Sequence, residues 1–149
     1  MQKGVSGNGP KTNNEYNTDN MKKFTIFLAI CTLLVASCKT GDGVMTFKKG
    51  VYTVNTTTIG NTVIGYNGAT PLLITIQDDK VTAIEVLDNE ETPRFLQRAE
   101  DGIFPALIGR SPEELAGAEI DGVAGATYSS DALIENLRLG LRYYLDHKK

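Results

Sequence analysis

Leu72-Leu73-Ile74-Thr75-Ile76-Gln77-Asp78-Asp79-Lys80-Val81-Thr82-Ala83-Ile84-Glu85-Val86 is the stretch that decides the fold of this chain. Two runs rich in β-branched residues flank the polar Gln77-Asp78-Asp79-Lys80. Branched side chains suit a pleated surface and aspartates suit a tight turn, so the pattern predicts an antiparallel hairpin. Upstream, residues 44–66 are rich in Val, Thr, Tyr and Ile, punctuated by Gly and Asn, and a further strand pair is expected there. In that segment Val51, Thr53, Asn55 and Thr57 alternate with Tyr52, Val54, Thr56 and Thr58, and neither face is strongly apolar.

Downstream of Asn89 the composition turns helical. Phe95, Leu96, Ala99, Ile103, Ala106 and Leu107 fall on one helical stripe, which Gly102 and Pro105 are expected to break into two short pieces. Ser111-Pro112-Glu113-Glu114 marks a helix start: a capping serine, a proline at the first helical position, and a glutamate placed to close a capping box. The longest helix is expected from Asp131 to Asp146. Leu133, Ile134, Leu137, Leu141, Tyr144 and Leu145 recur there at three- and four-residue steps, and Asp131 and Glu135 sit early, where the helix dipole favours anions. No internal repeat interrupts this order. The fold class that follows is α+β: an antiparallel sheet with helices packed on one face.

Between the second and third helical segments lies Asp121-Gly122-Val123-Ala124-Gly125-Ala126-Thr127-Tyr128-Ser129-Ser130. Small residues let an external group approach the backbone, and hydroxyls stand just before the long helix. Such a loop has two readings. It is a phosphate site built on the unpaired N–H groups of a helix start, or a small-residue turn that ends in a serine N-cap.

The segment Asp121 to Thr127 resembles the flavinylation motif of the FMN-binding domain family, an Asp-Gly-x-Ser/Thr-Gly-Ala-Thr sequence read by a flavin transferase. Members include subunits of the sodium-pumping NADH:quinone reductase and of Rnf-type complexes, and domains attached to extracytoplasmic flavin reductases. Two further blocks extend the likeness over roughly residues 60–137. Gly65-Tyr66-Asn67-Gly68 before the hairpin resembles the family's opening segment, and Asn89-Glu90-Glu91-Thr92-Pro93 resembles its Glu-Thr-Pro signature.

By resemblance the cofactor is FMN, joined through its phosphate to the Thr127 hydroxyl. Gly122, Ala124, Gly125, Ala126 and the backbone to Ser129 form the phosphate loop. Asp121 positions that loop or helps the transferase hold a magnesium-bound FAD. Glu91 and Thr92 lie near the isoalloxazine ring and tune its potential by hydrogen bonding; by their residue types alone they are equally a surface charge and a turn residue. Tyr66, Phe95 and Tyr128 are each a candidate to stack on the ring or to fill the core. The chain departs from the motif twice. Ala124 stands where Ser or Thr is common, although that side chain is not the attachment atom. Arg94-Phe95 follows Pro93 where members often continue with Gly, which either closes the loop under the ring or brings Arg94 to the phosphate or the flavin.

The amino-terminal region reads as an address. Residues 1–20 are polar without apolar period, as in a disordered segment or a product of an upstream start codon. Residues 21–37 form a secretory signal: Lys22 and Lys23, then twelve apolar-rich residues from Phe24 to Val35, then Ala36 and Ser37. Val35-Ala36-Ser37-Cys38 resembles a bacterial lipobox, in which Cys38 is diacylated and becomes the first mature residue; an ordinary signal peptide or an uncleaved anchor is the alternative. Two or more acyl chains would hold the protein at a bilayer, since each buried methylene contributes about 0.8 kcal/mol. Residues 38–43 then serve as a tether and residues 44–149 as the domain.

Cleavage before Cys38 leaves 112 of the 149 residues. It removes four lysines and two acids and takes the formal net charge from -3 to -5. That balance excludes phosphate-backbone recognition, so no nucleic-acid partner is expected. His147 is the single histidine, and Cys31 and Cys38 are the two cysteines, one leaving with the signal and one capped by lipid. Zinc, iron–sulfur and thiol chemistry therefore lack ligands and nucleophiles. The expectation is an extracytoplasmic, membrane-anchored electron carrier. Its partners are a flavin transferase and a membrane redox protein or reductase. The alternatives are FMN held without a bond, or a lipoprotein that keeps the fold as a binding or assembly module.

Overall fold

The computed structural model describes residues 43–149; the signal, lipobox and tether assignments, Cys38 included, lie outside them except for Gly43. Four strands follow in chain order: β1 (Met45–Lys48), β2 (Val51–Asn55), β3 (Leu72–Gln77) and β4 (Lys80–Val86). Each pairs antiparallel with its neighbour in the order β1-β2-β3-β4. Both tight connections are two-residue loops with positive φ at each position, Lys49 (51°) and Gly50 (84°), then Asp78 (50°) and Asp79 (57°). This backbone matches the twist of the flanking strands, which is why so short a loop closes each hairpin. The strand pair expected within 44–66 is present but ends at Asn55, and residues 56–71 cross to β3 as an irregular loop.

Alternation sorts the sheet into two faces. Val54, Leu72, Ile74, Ile76 and Val81 are buried on one, while Thr46, Gln77, Lys80 and Glu85 remain exposed. Thr82 sits at a register shift between Thr75 and Ile76, where β4 carries one extra residue. The helices cover the apolar face, as the α+β reading requires.

They are α1 (Pro93–Ile103), a 3-10 turn (Phe104–Ala106), α2 (Pro112–Gly117) and α3 (Thr127–His147). Helix α3 packs on β2 and β3, and α1 and α2 pack on α3. Its buried side chains Leu133, Leu137, Leu141 and Tyr144 meet Leu96, Ala99, Ile103 and Leu115 in one core. Each such leucine or isoleucine contributes about 1.5–3 kcal/mol relative to exposure. Because α3 is covered on two sides, Ala132, Asn136 and Gly140 are buried too, and the stripe is broader than its leucines suggest.

Three local expectations are corrected. Gly102 does not break α1, which runs through it to Ile103. A Cβ at Gly102 would lie 2.5 Å from a Val123 methyl, so the missing side chain lets the loop before α3 pack on the helix. The break comes at Pro105, inside the 3-10 turn. Phe95 and Ala106 drop out of the buried stripe and face solvent.

At α2 the cap is half of the expected box. Ser111 Oγ accepts from the Glu114 N–H at 3.2 Å, but the Glu114 carboxylate turns to Arg110, accepting from Nε at 3.1 Å and Nη2 at 2.7 Å. That pairing holds the Glu114 carboxyl below its usual range.

Helix α3, finally, begins at Thr127, four residues before Asp131, with Ala126 as its N-cap. Ser129 and Ser130 lie inside the helix, buried, and neither caps it.

Candidate functional site

The start of α3 is where the remaining chemistry collects. An α-helix leaves its first N–H groups without intrahelical partners, and here no side chain caps them. The Ala126 methyl cannot accept a hydrogen bond, and the Ser129 and Ser130 hydroxyls are engaged elsewhere. Ser129 Oγ donates to Glu91 Oε2 at 2.7 Å, and Ser130 Oγ accepts from the Val123 N–H at 3.0 Å. The N–H groups of Thr127, Tyr128 and Ser129 therefore face the mouth of the loop, with the positive end of a 21-residue helix dipole behind them. Gly125, at φ +80°, makes the turn into this start in a conformation that L side chains rarely adopt.

A shallow cavity opens there, lined by Tyr66, Phe95, Gly125, Ala126, Thr127, Tyr128 and Ser129. The Tyr66 and Tyr128 rings lie 6.1 Å apart and are 64% and 67% exposed, an arrangement that presents aromatic surface outward rather than to the core. At about 150 Å³ the cavity is well below the roughly 300–1,000 Å³ of sites that enclose a small molecule. A planar ligand would be gripped at one end and along one face, and stay accessible at the other.

Glu91 ties the wall of this site together. It is 6% exposed, and its second oxygen accepts from the Asn67 N–H at 2.8 Å. Asn67 Nδ2 in turn donates to Thr92 Oγ1 at 3.2 Å, and Asn89 Oδ1 accepts from the Glu91 N–H at 2.9 Å. The segment carrying Tyr66 is thereby pinned to α3 and to the entry of α1. Charge on a buried carboxylate is tolerable because donors surround it.

Thr127, Ala126, Gly125 and Ser129 thus line one cavity with Tyr66, Phe95 and Tyr128, and the exposure of those three rings shows that none of them fills the core. Asp121, Gly122 and Ala124 are exposed in the loop leading to it and do not line it. Arg94 is exposed with its guanidinium carbon 5.8 Å from the centre of the Phe95 ring. Sequence reasoning missed Asn67, whose amide and N–H join the two blocks, and Arg98 on α1, whose guanidinium reaches Gly125. Asn67 stands in the Gly65-Tyr66-Asn67-Gly68 block without its own signal as a bridging residue, and Arg98 belongs to no local motif.

A family model described as "FMN-binding domain" matches residues 65–142, half of the chain. The chain belongs to the FMN-binding domain family. No match was found among curated proteins or among solved structures. For this FMN-binding domain the cofactor is FMN, and the residues present fit it: unpaired N–H donors and a glycine at one end suit a phosphate, and exposed aromatic faces beside them suit a flat ring. The matched span begins at Gly65, inside the loop that carries Tyr66, and ends within α3, so it encloses the whole cavity.

Proposed function

We propose that this protein is an extracytoplasmic, lipid-anchored flavoprotein that holds FMN covalently on Thr127 and carries electrons between partners at a membrane. The observation that carries the reading is an exposed threonine at the first position of an uncapped helix, at the rim of an open aromatic cavity. The hydroxyl is accessible to a transferase, and the neighbouring N–H groups are placed to bind phosphate oxygens while the bond is made. With FAD as donor, the phosphoester forms at Thr127 Oγ, the pyrophosphate bond breaks, AMP leaves with the bonding pair, and the hydroxyl proton passes to solvent. Asp121 serves the transferase or the loop, and Ala124, lacking a hydroxyl, leaves attachment to Thr127.

Bound FMN supplies transfer of one or two electrons. The chain's own part is to hold it. Tyr66, Phe95 and Tyr128 offer faces to the ring, and Glu91 and Thr92 set the polarity of the adjoining wall. The cavity lining contains no carboxylate, histidine or lysine, and the Tyr66 and Tyr128 hydroxyls are its only ordinary proton-transfer groups. That favours a carrier over a complete oxidoreductase. A ring left open on one side suits transfer to a docked protein, and a lipid on Cys38 would keep the domain near a membrane donor or acceptor.

The test is export with a flavin transferase, followed by intact mass and visible absorbance after denaturation. The expected result is one FMN adduct and one lipid adduct, the former lost entirely in Thr127→Ala. Flavin released on denaturation from wild type would replace the covalent reading with a non-covalent one. Flavin-free protein in the presence of a competent transferase would favour a binding or assembly module.

A further inference from the structure

Arg98 faces the same loop from α1. It lies one turn after Phe95, which lines the cavity, and a Cβ built on Gly125 would sit 2.8 Å from Arg98 Nη1. The guanidinium therefore lies across the glycine of the motif, a position that a side chain at residue 125 would contest. Among the described residues Arg98 makes no hydrogen bond or ion pair, whereas Arg110 is held by Glu114 and Lys148 by Asp79 and Glu113. Its five donors stay available.

The local charges give it a task. Glu91 places a carboxylate against Ser129 in the first turn of α3, and this opposes any second anion bound at the same helix start. Unpaired N–H groups and a dipole alone are modest counterweights. A guanidinium adds a full charge and a planar fork that matches phosphate oxygens.

We propose that Arg98 is the phosphate-recognising cation of the flavin site and makes the domain select a phosphorylated flavin over riboflavin. This rests on the proposed location of the flavin at the start of α3. It assigns to α1 a binding role that the motif loop does not contain.

The test uses the full mature chain made without a transferase, titrated with FMN and with riboflavin by fluorescence quenching. In Arg98→Gln, affinity for FMN is expected to fall about ten- to a hundredfold, the loss usual for a charged hydrogen bond, with riboflavin affinity unchanged. Arg98→Lys should restore part of the preference. Arg142→Gln, the same charge change far along α3, should leave the ratio as in wild type. An unaltered FMN-to-riboflavin ratio in Arg98→Gln, or an equal loss for both flavins, overturns the proposal.

Should the unmodified chain bind neither flavin, the phosphorus NMR resonance of the transferase-loaded protein decides. A shift in Arg98→Gln but not in Arg142→Gln supports the role, and identical spectra refute it. Covalent flavin that persists in Thr127→Ala would instead count against attachment at Thr127 and leave the two-flavin ratio as an independent test of Arg98.

Discussion

The two ends of α3 are built to opposite specifications. At the carboxyl end Lys148 Nζ bridges Asp79 at 3.0 Å and Glu113 at 2.8 Å, and Tyr144 Oη donates to the same Asp79 carboxylate at 3.1 Å. The Tyr144 ring meets Tyr52 edge-on at 5.1 Å, so the hairpin turn, α2 and β2 all converge on the last turn. At the amino end no side chain caps the helix, the preceding residues are small, and the neighbouring hydroxyls are spent on Glu91 and Val123. One helix thus joins an end finished for stability to an end that retains its binding capacity. The amino end forgoes a cap, typically worth about 1 kcal/mol, and the packed far end makes that tolerable.

Three measurements press on this contrast. The largest effect is expected from Glu91→Ala, which strips two donors of their acceptor beside the open end. Stability should drop by about 1–3 kcal/mol in urea unfolding, and FMN retention should drop with it because the Tyr66 segment is released. Equal stability would mean that Glu91 holds nothing. Tyr144→Phe comes next, removing one hydrogen bond at the finished end for about 0.5–1.5 kcal/mol with flavin loading unchanged. Burial, with the Asp79 hydrogen bond, pushes the Tyr144 hydroxyl from 10.0 up to about 12. Wild type should therefore lose stability as pH climbs through that interval, and the phenylalanine variant should lose less.

The smallest effect is expected from Asp79→Asn. The Lys148 hydrogen bond, opposed in part by desolvation, holds the Asp79 carboxyl below its ordinary 3.8. Its contribution is present above that value and is lost as pH falls through the depressed one. Because Asp79 is largely exposed, the amide should cost under about 1 kcal/mol near neutrality and flatten the acid edge of a urea series, with no change in flavin.

What the sequence revealed and what it hid follow the same division. The hairpin from Leu72 to Val86 was readable because alternation and turn chemistry are local properties. The core leucines of α3 were readable for the same reason. Its first turn was not. Thr127, Tyr128, Ser129 and Ser130 are indifferent helix formers, and a serine before a helix normally signals a cap. Only the partners of Ser129 and Ser130, 38 residues away at Glu91 and seven residues back at Val123, pull both hydroxyls away from the helix end. Gly102 looked like a breaker for want of knowing that Val123 occupies the space above it. The motif loop, the Gly65-Tyr66-Asn67-Gly68 block and the Glu-Thr-Pro block were legible as family patterns, but nothing local marks Asn67 as the bridge between two of them, and Arg98 lies in none. Their relevance arises from what the fold sets beside them.

Asn136 sits in the middle of α3, fully buried, with Oδ1 accepting from Thr56 Oγ1 at 3.1 Å and Nδ2 donating to the Ala132 carbonyl at 3.2 Å. Thr56 Oγ1 also accepts from the Leu72 N–H at 2.8 Å, at the first residue of β3. Leucines tolerate a helix that rolls or slides on its bed; a buried amide with one matching hydroxyl does not, because any other setting strands polar atoms in the core. The amide therefore works as an index pin for the whole rod. Thr127 lies nine residues up the same rod, about 13 Å at 1.5 Å per residue. The bearing on which its hydroxyl faces the cavity is set from inside the protein, by an amide sealed in the core.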